Sequence, residues 1–381
     1  MKDTKETKKI VCSECGLELN EADACSFGGR TFCSDCLDVV TVLCDRCGDR
    51  IWRNDSSGDE NIALCQDCYD DHYTHCTRCG RLIRYDDAYY EDDESDDPYC
   101  SNCIEHIRSA PIRSYGYKPD PIFYGSNALY MGIELEVDKG GEDSGNADEI
   151  LGVANTPGKR IYCKHDGSLH NGFEIVSHPM TLDYHMKKMN WKDVFETALD
   201  LGYKSHNTST CGLHVHCDRN FLGDDDVMQE IVIGRIVYFV EKHWSELVRF
   251  SRRTSDALER WAARYATISP TTKETFKKAK DKRMGRYVAV NLENYETIEF
   301  RLFRGTLRYE TFIATLQLVH EICNVAIALT DRELENLSWS DFVLRIDKEN
   351  RSELVNYLKS KRLYVNEIEN ETEVILENEE G

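Results

Sequence analysis

A four-cysteine unit recurs three times at the start of this chain with a period of 32 residues, Cys12 returning as Cys44 and Cys76 and Cys15 as Cys47 and Cys79. Each unit opens and closes with a CxxC pair: Cys12/Cys15 with Cys33/Cys36, Cys44/Cys47 with Cys65/Cys68, and Cys76/Cys79 with Cys100/Cys103. The pairs are separated by 17, 17 and 20 residues. A tight knuckle supplies two thiolates, a short hairpin returns, and a second knuckle closes a tetrahedral shell, so this spacing predicts three structural Zn2+ ions. Thirteen of the 17 cysteines precede residue 104. Reducing compartments keep thiols free, so metal explains them better than disulfides. A glycine follows each first knuckle, at Gly16, Gly48 and Gly80, as expected of a turn that needs positive φ or room for amides near sulfur. Cys25 falls outside the pattern and is expected to be a free thiol.

The units resemble tandem zinc ribbons, or LIM-like modules with cysteine where LIM often has histidine. Residues 11 to 110 hold 23 Asp or Glu against 8 Lys or Arg, a net of 8 − 23 = −15, within a chain of net charge −22. Phosphate backbones would be repelled, which favours protein recognition or scaffolding over nucleic-acid binding. The run EDDESDD, residues 91 to 97, reads as a solvated loop. The polar start MKDTKETKKI lacks the apolar run of a secretory signal, and no stretch approaches about 18 consecutive apolar residues, so a soluble, cytoplasmic protein is expected.

The expected organisation is a flexible tail at 1–10, zinc modules at about 11–42, 43–74 and 75–108, a linker at 109–128, a large domain at 129–330, and a helical C-terminal region at 331–381 with an acidic tail. In the large domain YMGIELEV, GFEIVS, CGLHVHCD, YVAVNL and TIEFRLF alternate as strands do. Helical stretches near 190, from about Val227 to Phe250 and from about Glu310 to Leu329 lie between and after them. The mixture predicts an α+β domain on an antiparallel sheet.

Side chains two apart on a strand share a face, so Glu134 pairs with Glu136, His214 with His216 and Glu299 with Arg301, while Glu174 stands between Phe173 and Ile175. A wetted outer face would also alternate. A wetted face draws on Lys, Thr, Ser and Gln, however, whereas these strands supply carboxylates, imidazoles and an arginine. Four glutamates on one face repel one another unless cations sit between them, which points to Mg2+ or Mn2+. Arg301, Arg304 and Arg308 suit phosphate oxygens. Residues 249 to 286 carry 12 − 4 = +8, enough to draw in an anionic substrate, although a solvated helix face fits nearly as well.

The stretches GIELEV, KHDGSL, GFEIVSHP, TCGLHVHCD, RYVAVNL and TIEFRLFRGTL, in this order, resemble the amidoligase family, a branch of the glutamine synthetase and glutamate-cysteine ligase superfamily. The resemblance implies a glutamine synthetase-like sheet and an ATP-dependent carboxylate-amine ligase working through an acyl phosphate. Glu134, Glu136, Glu174, His214 and Glu299 would be Mg2+ or Mn2+ ligands, with His216 near a metal or the nucleotide phosphates. Arg301 and Arg304 would neutralise the γ-phosphate, Asp166 would deprotonate the amine, and Arg286 and Asn291 would hold substrate or nucleotide. The partners implied are ATP and unknown carboxylate and amine substrates, which the zinc modules suggest could be peptide or protein. Two rival readings stand beside it: a non-catalytic zinc adaptor with a nucleotide-binding domain, and a hydrolase with catalytic zinc on His214, His216 and Glu174.

Overall fold

The computed structural model describes residues 10–91, 95–206 and 208–364. The acidic tail, nearly all of the 1–10 segment and residues 92–94 of the acidic run lie outside them. The chain forms two compact units, residues 1–109 and 110–381.

In the first unit the three repeats share one backbone plan. Hairpins bring Ile10–Val11 against Glu18–Leu19, Thr41–Leu43 against Arg50–Trp52 and Tyr73–His75 against Leu82–Arg84. Gly16, Gly48 and Gly80 have φ of 77°, 80° and 70°. Each donates its N–H to the carbonyl of the first cysteine. An added Cβ would meet nothing within 4 Å at any of them, so conformation rather than space selects glycine. Phe32, Leu64 and Tyr99, each just before a second knuckle, are buried as the cores of these small modules. The second knuckle starts a helix, and the helix Ser34–Val40 passes directly into the strand Thr41–Leu43, as Gln66–His72 does into Tyr73–His75. Trp52 of the second module packs edge-on against Phe27 and Phe32 of the first, 4.8 and 5.9 Å between centroids.

The second unit is built on an eight-stranded sheet: β1 (Ile112–Arg113), β2 (Tyr130–Asp138), β3 (Ile161–Lys164), β4 (Gly172–Ser177), β5 (Met180–Thr181), β6 (Gly212–Asp218), β7 (Val290–Asn291) and β8 (Thr297–Arg304). The order is β7-β8-β6-β2-β4-β3-β1, with β5 on β2. Every pairing is antiparallel except β1 with β3. The fold is thus mixed α+β on a mostly antiparallel sheet. β1 lies in the segment expected to be a linker, whose prolines mask two residues of edge pairing.

One sheet face is apolar. Ile133, Leu135 and Val137 on β2, Leu213, Val215 and Cys217 on β6, and Ile298, Phe300 and Leu302 on β8 are fully buried. Helices cover that face, notably Tyr309–Ala328, whose Cys323 reaches Cys217, and whose Phe312 packs on Trp191 and Phe195 of the helix Trp191–Asp200. By length and composition the 20-residue helix Tyr309–Ala328 could cross a membrane, but 72% of its apolar window is buried inside this protein, so here it serves as the core helix. The helix expected over 227–250 divides into Asp226–Lys242 and Trp244–Ser251 at His243.

Candidate active site

The opposite face of the same sheet gathers the polar residues, because register carries each onto its neighbour's row. Across the strands, Lys164 on β3 faces Glu174 on β4, which faces Glu136 on β2. Glu134 on β2 faces His214 on β6, and His216 faces Glu299 on β8, which faces Asn291 on β7. This face is not wetted: Glu136, Glu174, His214, Glu299 and Asn291 are all 3–5% exposed.

Glu134 stands at the centre, Oε2 3.2 Å from His214 Nδ1 and Oε1 3.3 Å from His216 Nε2. His214 Nδ1 also lies 3.5 Å from Glu299 Oε1. Lys164 Nζ lies 3.4 Å from Glu174 Oε2. Glu136 accepts the Gly212 N–H, Asn291 Nδ2 donates to Glu299 at 2.8 Å, and Arg301 donates to the other oxygen of Glu299. Asn291 therefore orients a carboxylate of the cluster.

The charges are frustrated. Burial opposes ionisation of Glu134, yet His216 and His214 hold its carboxyl well below the usual range. Burial, then Glu134 and Glu136, push Glu174 well above it despite Lys164. Burial raises Glu136. His216 is raised because Glu134 and Glu299 outweigh its burial. His214 Nε2 is buried without a hydrogen-bond partner among the described residues, its nearest carboxylate oxygen being Glu136 Oε1 at 3.8 Å, and His216 Nε2 is buried with Glu134 Oε1 at 3.3 Å. Buried polar atoms are nearly always satisfied, so an unpartnered imidazole nitrogen on His214, beside a second imidazole and four carboxylates, fits a site for divalent cations. Two ligand sets share Glu134: Glu134, Glu174 and His214, and Glu134, His216 and Glu299, the donor atoms of each lying within 4.8 Å of one another.

Three arginines border this cluster. β8 carries a bulge, with Phe303 opposite Leu213 but Phe300 opposite Val215, so Arg301 and Leu302 together oppose His214. The extra residue restores Arg304, opposite Gly212, to the face that strict alternation would deny it. Arg253, not expected from the sequence, is buried, donates to the Arg301 carbonyl at 2.6 Å and is felt by Glu136, Arg301 and Arg304. Any Cβ on Gly212 would come within 2.9 Å of His214 Nε2 and 3.1 Å of Arg253 Nη2, so a larger residue would have to displace one or both side chains.

The loop 165–171 follows β3. Its Asp166, half-buried, adds to the repulsion that raises Glu136 and Glu174, which places it at the cluster's edge. Asp138, also missed and fully buried, anchors this loop by accepting the N–H groups of Asn171 and His170, along with those of Lys139 and the Thr210 hydroxyl. Arg286 lies outside the glutamate cluster, donating to the hydroxyls of Tyr115 and Tyr287 at 2.7 and 3.0 Å. Of the missed residues, Lys164 stood in KHDGSL, Arg253 in the basic stretch, and Asp138 directly after GIELEV.

In the first unit the thiols of each repeat converge, Cys15–Cys33, Cys47–Cys65 and Cys79–Cys100 having sulfurs 3.9, 3.8 and 3.8 Å apart. A tetrahedron with Zn–S of about 2.3 Å has edges of about 3.8 Å, so these clusters fit zinc. Backbone N–H groups, led by that of Cys15, draw Cys12 down to about 6. Amides outweigh burial to bring Cys44 and Cys76 to about 6 as well. Cys68, hydrogen-bonded to Cys65, and Cys103, partly desolvated and hydrogen-bonded to Cys100, are pushed up to about 12. Four thiols crowded this closely cannot all ionise without a cation.

A family model described as Putative amidoligase enzyme matches residues 152–323. The match indicates a ligase activity in general terms. It runs from before β3 into the core helix, taking in Glu174, His214, His216, Glu299, Arg253, Arg301 and Arg304, while Glu134 and Glu136 lie ahead of it. No curated protein sequence matches the chain.

Proposed function

We propose that the second unit is an ATP-dependent carboxylate-amine ligase that activates its acid as an acyl phosphate. The observation that carries this reading is the juxtaposition of a carboxylate-imidazole cluster suited to two divalent cations, on one buried sheet face, with three arginines that border it, Arg301 and Arg304 from β8 and Arg253 from the loop after the helix Trp244–Ser251. A hydrolytic zinc site would use the imidazoles and carboxylates but has no need of Arg253, Arg301 and Arg304 together.

A carboxylate is a poor electrophile and most amines are protonated near neutrality, so the site must address both. An oxygen of the substrate carboxylate attacks the γ-phosphorus, the bond to the bridging oxygen breaks, and ADP leaves with the electron pair. Arg301 and Arg304, with Arg253 behind them, offset the charge on the transferring group. Mg2+ or Mn2+ held by Glu134, Glu174, His214, His216 and Glu299, with Glu136 adjoining, would supply further neutralisation of phosphate oxygens. Asp166 takes a proton from the incoming ammonium, the freed lone pair attacks the acyl carbon, and phosphate departs. The products are an amide, ADP and phosphate. The zinc modules would serve to recruit a peptide or protein that bears one of the substrates.

The test is a mass-spectrometric screen in which full-length protein, Mg2+ and ATP are mixed with pooled carboxylates and hydroxylamine, which traps acyl phosphates as hydroxamates. One hydroxamate should form per ADP, and Glu134→Ala should abolish it. ADP formation without hydroxamate or amide from any acid would sink the proposal.

A further inference from the structure

The helices Asp226–Lys242 and Thr272–Asp281 pack antiparallel, Glu230 level with Lys280 in a 2.6 Å ion pair and Gly234 level with Phe276. A Cβ on Gly234 would come within 3.2 Å of the Phe276 ring, so the two helices lie close. Ahead of that contact the first turns of Asp226–Lys242 are uncovered. Val227, Met228 and Ile231 are 70%, 45% and 39% exposed, and Phe221, in the turn that Gln229 ties back through the Gly223 carbonyl, is 40% exposed. The same helix buries Val232, Ile233 and Ile236, so its own packing does not call for apolar residues at 227, 228 and 231. Grouped exposed apolar side chains with polar surroundings mark a surface that something covers.

Charge of opposite sign lies on either side of those turns. Residues 224 to 231 hold four acids and no base, 0 − 4 = −4, and residues 272 to 283 hold six bases and two acids, 6 − 2 = +4. Asp225 caps the first helix by accepting the Met228 N–H, with Asp224 and Asp226 exposed beside it. On the second helix Lys278 and Lys282 turn back onto the Ser269 hydroxyl and the Tyr265 carbonyl. Lys273 and Lys277, one turn apart and exposed, pair with no acid among the described residues. The antiparallel register sets Lys273 level with about residue 237, so roughly 15 Å of helix axis separates the aspartates from it, with the apolar turns between.

The geometry points to a second copy of this chain as what covers that surface. Two copies pair about a two-fold axis passing between Ile231 and Lys277, so that Asp224 and Asp226 of each meet Lys277 and Lys273 of the other, and Val227, Met228 and Ile231 of both close on one another. A surface acidic at one end, apolar in the middle and basic at the other meets its own image, turned by half a revolution, with every charge opposed. A partner of uniform charge would satisfy one end and be repelled at the other, and a lipid surface would have to take in the aspartates. The pairing uses no residue of the glutamate cluster and does not draw on the ligase reading.

Sedimentation of the full-length, zinc-loaded protein at physiological salt should show the mass rising from 44.0 kDa toward twice that value as concentration increases. Val227→Ser with Ile231→Ser, both at exposed positions, should weaken pairing about tenfold or more by removing apolar area from the centre of the interface. Asp224→Lys with Asp226→Lys should stay monomeric, and so should Lys273→Glu with Lys277→Glu, because each then meets like charge across the axis. Mixed in equal amounts, these two charge-reversed proteins should pair one to one, since every contact is again between opposite signs. A parent protein that remains at 44.0 kDa over its soluble range overturns the proposal, as does a mass that climbs past the dimer. So does a dimer that the serine pair leaves unchanged, or a charge-reversed mixture that stays monomeric although each variant melts as the parent does.

Discussion

Loading the glutamate cluster with Mg2+ should expel protons, and the number follows from its frustrated charges. Glu134 is already ionised and contributes none, whereas Glu174 and His216 both hold protons more tightly than usual, Glu174 through burial and neighbouring carboxylates and His216 through Glu134 and Glu299. Both must give them up to bind a cation, so a raised pKa in the free protein means that affinity climbs with pH and levels off once both groups have titrated. One proton released corresponds to about tenfold in affinity per pH unit, so about two protons across the two ligand sets predict up to about 100-fold per unit for the product of the two binding constants over the pH range in which both groups are still protonated in the free protein. Calorimetric Mg2+ titrations in two buffers of different ionisation enthalpy count the protons directly. Glu174→Gln should lower the count by about one. A pH-independent affinity, or an unchanged count in that variant, would refute the reasoning.

Cys76→Ser should reduce the zinc content from about three per chain to about two and unfold the third module, seen by metal analysis and amide NMR, since such modules depend on their metal. Phe312→Ala, which empties a fully buried ring site between Trp191 and Phe195, should cost about 3–5 kcal/mol in urea unfolding. Asp138→Ala strands three backbone N–H groups in a buried position and should cost about 3 kcal/mol or more, with faster amide exchange at His170 and Asn171. Gly212→Ala should weaken Mg2+ binding about tenfold or more by displacing His214 and Arg253 while leaving the melting transition cooperative; unaltered Mg2+ affinity would argue against their packing at the site.

Much of this architecture could be read from one-dimensional pattern. The 32-residue period located the knuckles, because a metal shell imposes spacing locally. GIELEV, HVH and IEFR, alternating strictly, told which residues share a face. Register is non-local, so nothing along the chain showed that Glu134 would meet both His214 and His216, or that Glu174 would pair with Lys164. Arg253 escaped because it follows a left-handed residue, Arg252 with φ of 57°, at the end of a helix, where periodicity carries no information. Strand β1 escaped for a related reason: a stretch rich in proline and glycine reads as a connection, and its two-residue pairing is too short to leave an alternating trace.

The extra residue in β8 works as a change of phase. Up to Arg301 the strand keeps one rhythm, and beyond it the opposite one, so Leu302 and Phe303 both turn inward and two guanidinium groups emerge on the same side. Shortening the strand by one residue would keep every side chain's chemistry and still send a positive charge among the phenylalanines. The placement of charge here is stored in the count of backbone units as much as in which amino acids they carry.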